Sequence, residues 1–226
     1  MLKRASTLAI WLFAHPVQGS WQLPRIFLNR LSKNSPLSNA VPWMPFLVIQ
    51  HLNHVLKPTD RVLEFGSGGS TLFLARRVST VVTIEHDPQW GALVQAALKR
   101  HNLTQVDFRV VPPEAGHNPA ATSAVAAYQG MNFTRYLQQI QDFADESFDV
   151  VIIDGRVRNQ CVEAALPKLK PGGLLVLDNA DRAKYALSLQ RLQHLPSTYF
   201  YGLNPYQFDP GGTMIWVNAA ALPKKS

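Results

Sequence analysis

Apolar and polar positions follow two alternating patterns along most of the chain. Short runs of consecutive apolar residues are typical of strands buried on both faces of a sheet, and they alternate with stretches in which apolar residues recur every three or four positions, as in helices. Seven segments fit strands: RVLEF, TVVTIE, VDFRVV, FDVVIID, LLVLD, STYFYGL and GTMIWVN. The alternation predicts an α/β fold with a doubly wound, mostly parallel seven-stranded sheet, and the short loop NPYQFDPG makes the last strand antiparallel.

Helices are predicted between the strands, where the apolar spacing is three or four residues. Residues 88–101 are the clearest case, with Pro88 suited to a first turn and Trp90, Val94 and Leu98 on one face. The other predicted helices cover residues 43–56, 70–78, 161–169 and 181–192, and one more contains Phe133, Tyr136, Leu137 and Ile140. A sheet of this kind binds its ligand at the carboxyl ends of the strands, near the point where the strand order reverses.

The first 41 residues do not follow this alternation. They are irregular in pattern and rich in Pro, Ser and Asn, and we expect them to form a helical extension before a single domain over residues 42–226. Within the extension, a basic start precedes an apolar run from Leu8 to Ala14, without a small-residue cleavage site. We interpret this run as an amphipathic segment packed on the domain, with peripheral contact to a membrane surface as the alternative.

Composition narrows the class of protein. The chain has 226 residues, 46% of them hydrophobic and 16% charged, which is typical of globular proteins. The single cysteine, Cys161, excludes an internal disulfide framework and favours a reducing, cytoplasmic location. The net charge of +7 is compatible with nucleic acid or an anionic membrane as partner, but the scattered Lys and Arg favour an ordinary basic enzyme without a nucleic-acid partner. The oligomeric state stays open.

The glycine-rich turn in RVLEFGSGGSTLFLA, residues 61–75, is the first candidate for chemistry. No lysine follows the glycines, so the turn is not a phosphate-binding P-loop. A dinucleotide fingerprint fits Gly66 and Gly68 but not Thr71, where a β-branched side chain hinders close packing of helix on strand. Glu64 at the strand end repels a diphosphate and pairs with an ammonium group, which favours a ligand that carries an amino acid.

Further along the chain, Glu85 ends the second strand, where an acidic residue accepts hydrogen bonds from a ribose diol. The ordered segments LEFGSGGST, IEHD, FDVVIIDGR and LKPGGLLVLDN then resemble the motifs of class I S-adenosylmethionine-dependent methyltransferases, over about residues 61–179. The resemblance implies a Rossmann-like methyltransferase fold, S-adenosylmethionine as cofactor and a small-molecule substrate. One departure is Ser70, where the usual pattern has glycine.

By this resemblance, Glu64 faces the methionine end of the cofactor and Glu85 holds the ribose hydroxyls. His86 flanks the adenine, and Ser70 donates a hydrogen bond to the cofactor carboxylate. The residues implied in cofactor binding are Glu64, Gly66, Ser67, Gly68, Ser70, Glu85, His86 and Asp154. The extension and the region 112–136 are expected to cover the site, since methyl transfer requires that water be excluded.

Catalysis is expected at the ends of the fourth and fifth strands, and Asp154 and Arg156 are the candidate catalytic residues. The set Asp154, Asp178 and Asn179 resembles the divalent-metal triad of catechol and caffeoyl-CoA O-methyltransferases, which implies Mg²⁺ as an optional second cofactor. The alternative is that Asp178 and Asn179 cap a helix and Asp154 orients cofactor or substrate.

The expected activity is methylation, preferably on oxygen, of a small hydroxylated or acidic metabolite. Arg156 and Arg158 suit a carboxylate or phosphate of that substrate. Two other functions stay open at this point: a non-catalytic protein of the same fold attached to a membrane surface, and an NAD-linked oxidoreductase.

Overall fold

Seven strands form one sheet in the computed structural model, which describes residues 2–116, 118–123 and 125–219. A separate two-stranded antiparallel ladder lies in the long connection after the third strand. The strands are β1 (Arg61–Phe65), β2 (Thr80–Glu85), β3 (Val106–Val110), β4 (Glu114–Ala115), β5 (Met131–Asn132), β6 (Phe148–Ile153), β7 (Leu169–Asp178), β8 (Ser197–Asn204) and β9 (Gln207–Val217), of which β4 and β5 form the ladder.

The strand order in the large sheet is β3-β2-β1-β6-β7-β9-β8, and β9 runs antiparallel to both of its neighbours. Parallel register places Val62 of β1 beside Val81 of β2 and Val150 of β6. The order reverses between β1 and β6, so the carboxyl ends of these central strands open on a common edge. The predicted α/β class and the antiparallel last strand are confirmed.

The helices cover both faces of the sheet and enclose two apolar cores. One core joins β1 residues such as Phe65 to α7, α8 and α9, and the other joins residues such as Val62 to α4, α5 and α6. The helices of the domain are α4 (Phe46–Val55), α5 (Gly69–Ala75), α6 (Pro88–Arg100), α7 (Thr134–Gln138), α8 (Arg158–Ala165) and α9 (Ala186–Arg191). They follow α1 (Leu2–Ala14), α2 (Pro16–Leu31) and α3 (Pro36–Asn39) of the extension.

Three helices occupy most of this extension, in agreement with the expected helical extension, although the sequence pattern of residues 1–41 is irregular. Pro16 and Pro36 stand in the first turns of α2 and α3, where proline favours a helix instead of breaking it. Trp11 and Ile26 are buried against Leu203 of β8, so the extension packs on the domain. The boundary between residues 41 and 42 stays a prediction.

Several element boundaries differ from the predicted ones, and the largest differences are at β7 and α9. β7 begins at Leu169 and runs through the Pro-Gly-Gly segment, because the Gly172 amide and the Gly173 carbonyl both pair with the backbone of Asn218. The helix predicted for residues 181–192 becomes regular only at Ala186. Among the described helices, none combines the length and apolarity needed to cross a bilayer.

The NPYQF segment forms a hairpin turn between β8 and β9, shorter than the predicted loop. The side chain of Asn204 accepts hydrogen bonds from the backbone amides of Tyr206 and Gln207, at 3.0 and 2.9 Å. This Asx-type geometry explains the turn.

Candidate functional site

The glycine turn between β1 and α5 is held between the ends of β2 and β6. The Gly66 amide donates to the carbonyl of Ile84, and the Asp154 amide donates to the carbonyl of Phe65, both at 2.9 Å. Gly66 has φ of +90°, and a Cβ there would lie 2.9 Å from the Gly155 backbone. Only glycine therefore satisfies both the left-handed backbone and the close approach of the two strand ends.

The extension closes one side of this turn. A Cβ on Gly69 would collide with the carbonyl oxygens of Pro36 and Val41, in and just after α3. Gly69 is therefore required for the extension to pack against the turn. A Cβ on Gly68, in contrast, would meet only the Trp90 ring, at 3.7 Å. Gly68 is the position of the turn that leaves room for a bound group.

Glu64 lies under the turn and is 1% exposed. Its Oε2 atom accepts hydrogen bonds from the hydroxyls of Thr71 at 2.7 Å and Thr83 at 2.9 Å. Its Oε1 atom is buried without a hydrogen-bond partner among the described residues. Burial raises the pKa of Glu64 to about 7, against the opposing effect of the neighbouring hydroxyls. A buried carboxylate oxygen without a partner fits the ammonium group predicted for this place.

Glu85, which is 2% exposed, anchors the turn from the end of β2. Its Oε2 accepts from the amide and the hydroxyl of Ser67, at 2.9 and 2.6 Å, and its Oε1 accepts from the amides of His86 and Asp87, at 2.7 and 2.9 Å. Burial by itself would raise the pKa of the Glu85 carboxyl, but the hydrogen bonds to the carboxylate outweigh this effect, so the pKa is lowered. The four bonds use the acceptor capacity of the carboxylate, so a ribose diol binds here only if a protein donor leaves.

His86 lies in an aromatic cluster formed by the region that follows β3. Its ring centre is 5.1 Å from that of Tyr128, 6.1 Å from Phe133 and 6.4 Å from Tyr136, and its Nε2 lies 2.8 Å from the Tyr128 hydroxyl. Tyr128, Phe133 and Tyr136 thus pack against the residue predicted to flank the adenine, and the covering role of this region stays a prediction. Glu114, at the start of this region, pairs with Arg135 on the surface.

Arg158 joins the ends of β6 and β7 from inside the protein. It is 5% exposed and donates to the backbone carbonyls of Asp154, Gly155 and Asp178. Its Nη2 also lies 2.6 Å from Asp154 Oδ1, and its Nη1 lies 3.9 Å from Asp178 Oδ2. Asp178 Oδ1 accepts from the Thr213 hydroxyl at 2.6 Å. Burial and the neighbouring Asp154 raise the pKa of Asp178 to about 7.

This arrangement does not fit a metal ion held jointly by Asp154, Asp178 and Asn179. The Arg158 guanidinium already supplies a cation to both carboxylates, and Asp178 turns toward β9. Within residues 2–116, 118–123 and 125–219, no three His, Cys, Asp or Glu side chains are grouped to hold a metal ion. The expectation that Arg158 flanks the substrate mouth changes as well, because its guanidinium is committed to these internal bonds.

A cavity of about 530 Å³ opens beside Asp154, whose side chain is 29% exposed. Its wall combines the strand ends with the β8–β9 turn and with Trp43 and Pro45 from the segment before α4. Arg156 and Arg182 contribute positive charge. The Arg156 guanidinium carbon stands 5.3 Å from the centre of the Tyr128 ring, and its Nε atom is buried without a hydrogen-bond partner in the part of the chain that the structure describes.

Sequence patterns did not reveal three contacts of this site. The Trp90 indole donates to the Ser67 carbonyl at 2.8 Å, Thr83 binds Glu64 across strands, and α3 closes on Gly69. The contact between Thr83 and Glu64 follows from the strand register, because the two residues are direct partners in the β1–β2 pairing. The Gly69 contact depends on the path of the extension, for which the sequence carries no local signal.

Comparison with known proteins agrees with this geometry. A family model described as a methyltransferase domain matches residues 63–180, more than half of the chain. No curated protein matches the chain.

Several solved structures share the fold. A putative O-methyltransferase from Klebsiella pneumoniae is 18% identical over 89% of this chain and 99% of its own, with a TM-score of 0.57. The O-methyltransferase from Bacillus cereus in complex with S-adenosylhomocysteine (SAH) is 20% identical over 95% and 99%, with a TM-score of 0.55. Cofactor-bound Rv0187 from MTB is 21% identical over 72% and 74%, with a TM-score of 0.53. By the family match, the chain belongs to the methyltransferase-domain family and is a class I S-adenosylmethionine-dependent methyltransferase.

Proposed function

We propose that this enzyme transfers the methyl group of S-adenosylmethionine to an oxygen atom of a small hydroxylated or acidic metabolite. The observation that carries the proposal is the cavity beside Asp154, in which a partly exposed carboxylate lies next to Arg156 and Arg182. A volume of about 530 Å³ suits a metabolite-sized acceptor. The names of the Klebsiella pneumoniae and Bacillus cereus structures, both O-methyltransferases, support the choice of oxygen.

The residues around the glycine turn suit the cofactor. Glu64 Oε1, buried and without a partner, would receive the ammonium group, and the backbone at Gly66, Ser67 and Gly68 would line the methionine part. Glu85 would bind the ribose after one Ser67 bond is released. The assignments of Ser70 and His86 remain predictions. When bound, S-adenosylmethionine supplies an electrophilic methyl group on a sulfonium.

Asp154 would accept the proton of the acceptor hydroxyl. Burial raises the pKa of its carboxyl, and the guanidinium groups of Arg158 and Arg156 oppose the rise. The bond from Arg158 to Asp154 Oδ1 fixes the side chain, so Oδ2 is left to face the substrate. Arg156, whose Nε has no partner, would bind an acidic group of the acceptor.

Replacing Asp154 with asparagine tests this assignment. We expect kcat to fall by about 10²-fold to 10⁴-fold, because the general base is lost, while the SAH dissociation constant changes less than about threefold. Acceptors with hydroxyl and carboxylate groups would be screened by mass spectrometry for a methylated product. Asp181→Asn removes a charge from the same cavity wall and serves as control. A variant with full turnover, or one that loses SAH binding, would contradict the role of Asp154 as base.

SAH binding should release a proton near neutral pH. The pKa of Glu64 is raised to about 7, and an ammonium group against its carboxylate lowers this pKa, so binding expels about half a proton at pH 7. The release should grow as the pH falls toward 6 and vanish above about pH 8.5. Calorimetry in buffers of different ionisation enthalpy measures it. Asp178 has a similar pKa, so Asp178→Asn is the deciding variant: it should bind SAH and release the same fraction of a proton, and a release that disappears there would contradict the assignment to Glu64.

Methyl transfer should not depend on a divalent metal, since Arg158 neutralises the carboxylates that a metal would use. We expect the rate with a responsive acceptor to change by less than about twofold between excess EDTA and added Mg²⁺. If the rate of methyl transfer falls by about tenfold or more in EDTA and Mg²⁺ restores it, Arg158 moves aside for a metal and the prediction is wrong.

We further propose a cytoplasmic location and the small molecule as the only substrate partner, without nucleic acid. The support is the single cysteine and the compact cavity. Cys161 is buried, and burial raises the pKa of its thiol, so it suits a structural role and not a reactive one.

A further inference from the structure

The net positive charge of the protein is concentrated in its first quarter, because this part lacks acidic residues. Residues 1–59 contain six Lys and Arg residues and no Asp or Glu, whereas the remainder contains sixteen basic and fifteen acidic residues. Six of the seven net charges therefore lie before Asp60. The basic residues are scattered along the chain, as noted above, but the acidic residues all lie after residue 59, so the net positive charge falls on the part that forms the extension and α4.

The outer surface of the extension is apolar. The large apolar side chains exposed on α1 and α2 are Ile10 (70% exposed), Phe13 (93%), Val17 (73%), Phe27 (55%), Leu28 (61%) and Leu31 (79%). At about 100° per residue, positions 17, 20, 24, 27, 28 and 31 of α2 fall within an arc of about 100°. We call this set the α2 stripe; besides the apolar residues above it contains only Ser20 and Pro24.

The inner face of α2 is already packed on the protein. Gln22 and Ile26 are fully buried, and Ile26 contacts the cluster that includes Trp11 and Leu203. By the same helical geometry these two residues lie opposite the α2 stripe. The stripe is therefore a second apolar face, and it is not the side by which the helix joins the core.

Arginines border the α2 stripe on both sides. Arg25 and Arg30 are exposed and lie about 60° beyond its two edges. Their guanidinium carbons stand 5.2 Å from the Trp21 ring centre and 5.0 Å from the Phe208 ring centre. An apolar strip flanked by cations is the pattern of a helix that lies in the plane of a membrane interface, with its apolar side chains among the lipids and its charges at the headgroups.

We propose that the α2 stripe, together with Ile10 and Phe13 of α1, docks this methyltransferase on an anionic lipid bilayer. Two copies of the chain would bring arginines against arginines without an acidic partner from residues 1–59, which disfavours a symmetric dimer through this face. Nucleic acid is recognised by polar and aromatic side chains and not by exposed Val and Leu. Anionic lipid satisfies both the charge and the apolar surface.

Docking would also hold the substrate cavity beside the bilayer. Phe27 lies 5.1 Å from Phe208, centre to centre, and the Asn29 amide donates to the Pro205 carbonyl at 3.0 Å. The neighbours of Phe208 in sequence, Gln207 and Asp209, line the cavity. The contact between α2 and the β8–β9 turn thus connects the proposed membrane face to the cavity wall.

The test is co-sedimentation of the full chain with vesicles of phosphatidylcholine, alone or with about 30% phosphatidylglycerol. We expect binding to the anionic vesicles at least about tenfold tighter than to the neutral ones, weakened when salt rises from about 0.1 to 0.5 M. Leu28→Ser/Leu31→Ser should weaken binding by about tenfold to a hundredfold. Arg25→Gln should weaken it by about fivefold on anionic vesicles only.

The matched control is Leu93→Ser/Leu187→Ser, which removes two leucines, 56% and 68% exposed, from α6 and α9. Thermal unfolding of each variant confirms that it is folded. The proposal is overturned if the wild type binds neither vesicle or if the control pair loses as much binding as the stripe pair. It is equally overturned if sedimentation velocity shows a dimer that the stripe pair abolishes, or if an oligonucleotide binds the wild type and competes with the vesicles.

Discussion

Replacing Arg158 with methionine is expected to lower the free energy of unfolding by about 3–5 kcal/mol at pH 8. Methionine keeps much of the volume but leaves Asp178 buried without its cation, and it removes the bonds to the carbonyls of Asp154, Gly155 and Asp178. Breaking a buried ion pair costs more than forming it contributes, because the remaining charge cannot recover its hydration. Urea unfolding at several pH values measures the effect.

The loss should shrink as the pH falls. Without the guanidinium, the folded-state pKa of Asp178 rises above about 7 and that of Asp154 rises as well, so protonation as the pH falls from 8 through about 7 relieves the repulsion between the two carboxylates. Adding Asp178→Asn to the Arg158→Met variant should restore part of the stability at pH 8. Arg156→Met is the control, because Arg156 is a half-buried neighbour. We expect this change to lower the free energy of unfolding by less than about 1 kcal/mol. Equal losses for the two arginines would contradict the account.

Replacing Glu85 with glutamine is expected to weaken SAH binding by at least about a hundredfold. The amide nitrogen cannot accept the bonds that the carboxylate receives from Ser67, His86 and Asp87, and it cannot bind a ribose diol in the same way. The variant should also lose about 1–3 kcal/mol of stability, because donors buried at the strand end lose their acceptor. Calorimetric titration and urea unfolding separate the two effects.

Ser67→Ala distinguishes the binding role of Glu85 from its structural role. This change removes the hydroxyl that competes with a ribose but leaves the Ser67 amide bonded to the carboxylate. We therefore expect SAH to bind as tightly as to the wild type or up to about threefold more tightly. If Glu85→Gln binds SAH normally, Glu85 is only an anchor of the turn.

Most of the fold could be predicted because the signals are local. Buried strands such as FDVVIID are apolar without interruption, and the Asn204 turn has the chemistry of its type. The positions of the helices in the extension could not be predicted, because prolines and serines indicate turns when read alone, although they also begin helices. Pro16 begins α2, and the Ser35 hydroxyl caps α3 by accepting from the Ser38 amide.

The site was predictable in position but not in detail. Strand ends that share one edge must bring Glu64, Glu85 and Asp154 together, so their neighbourhood follows from topology. The partners of each carboxylate depend on side chains that meet only after folding. Arg158 follows Asp154 by four residues, but whether its guanidinium turns to the substrate or inward is decided by packing around Tyr185 and the buried end of β7.

Titration of the wild-type protein with SAH, beside a parallel titration with NAD⁺, tests the central claim most directly. The claim is that the turn at Gly66–Gly68, with Glu64 and Glu85, binds S-adenosylmethionine. We predict that SAH binds at one site with a dissociation constant in the micromolar range and that NAD⁺ does not bind. Glu64→Gln should lose most of its affinity for SAH. Absence of SAH binding to the folded wild type, or equal binding to Glu64→Gln, would contradict the account.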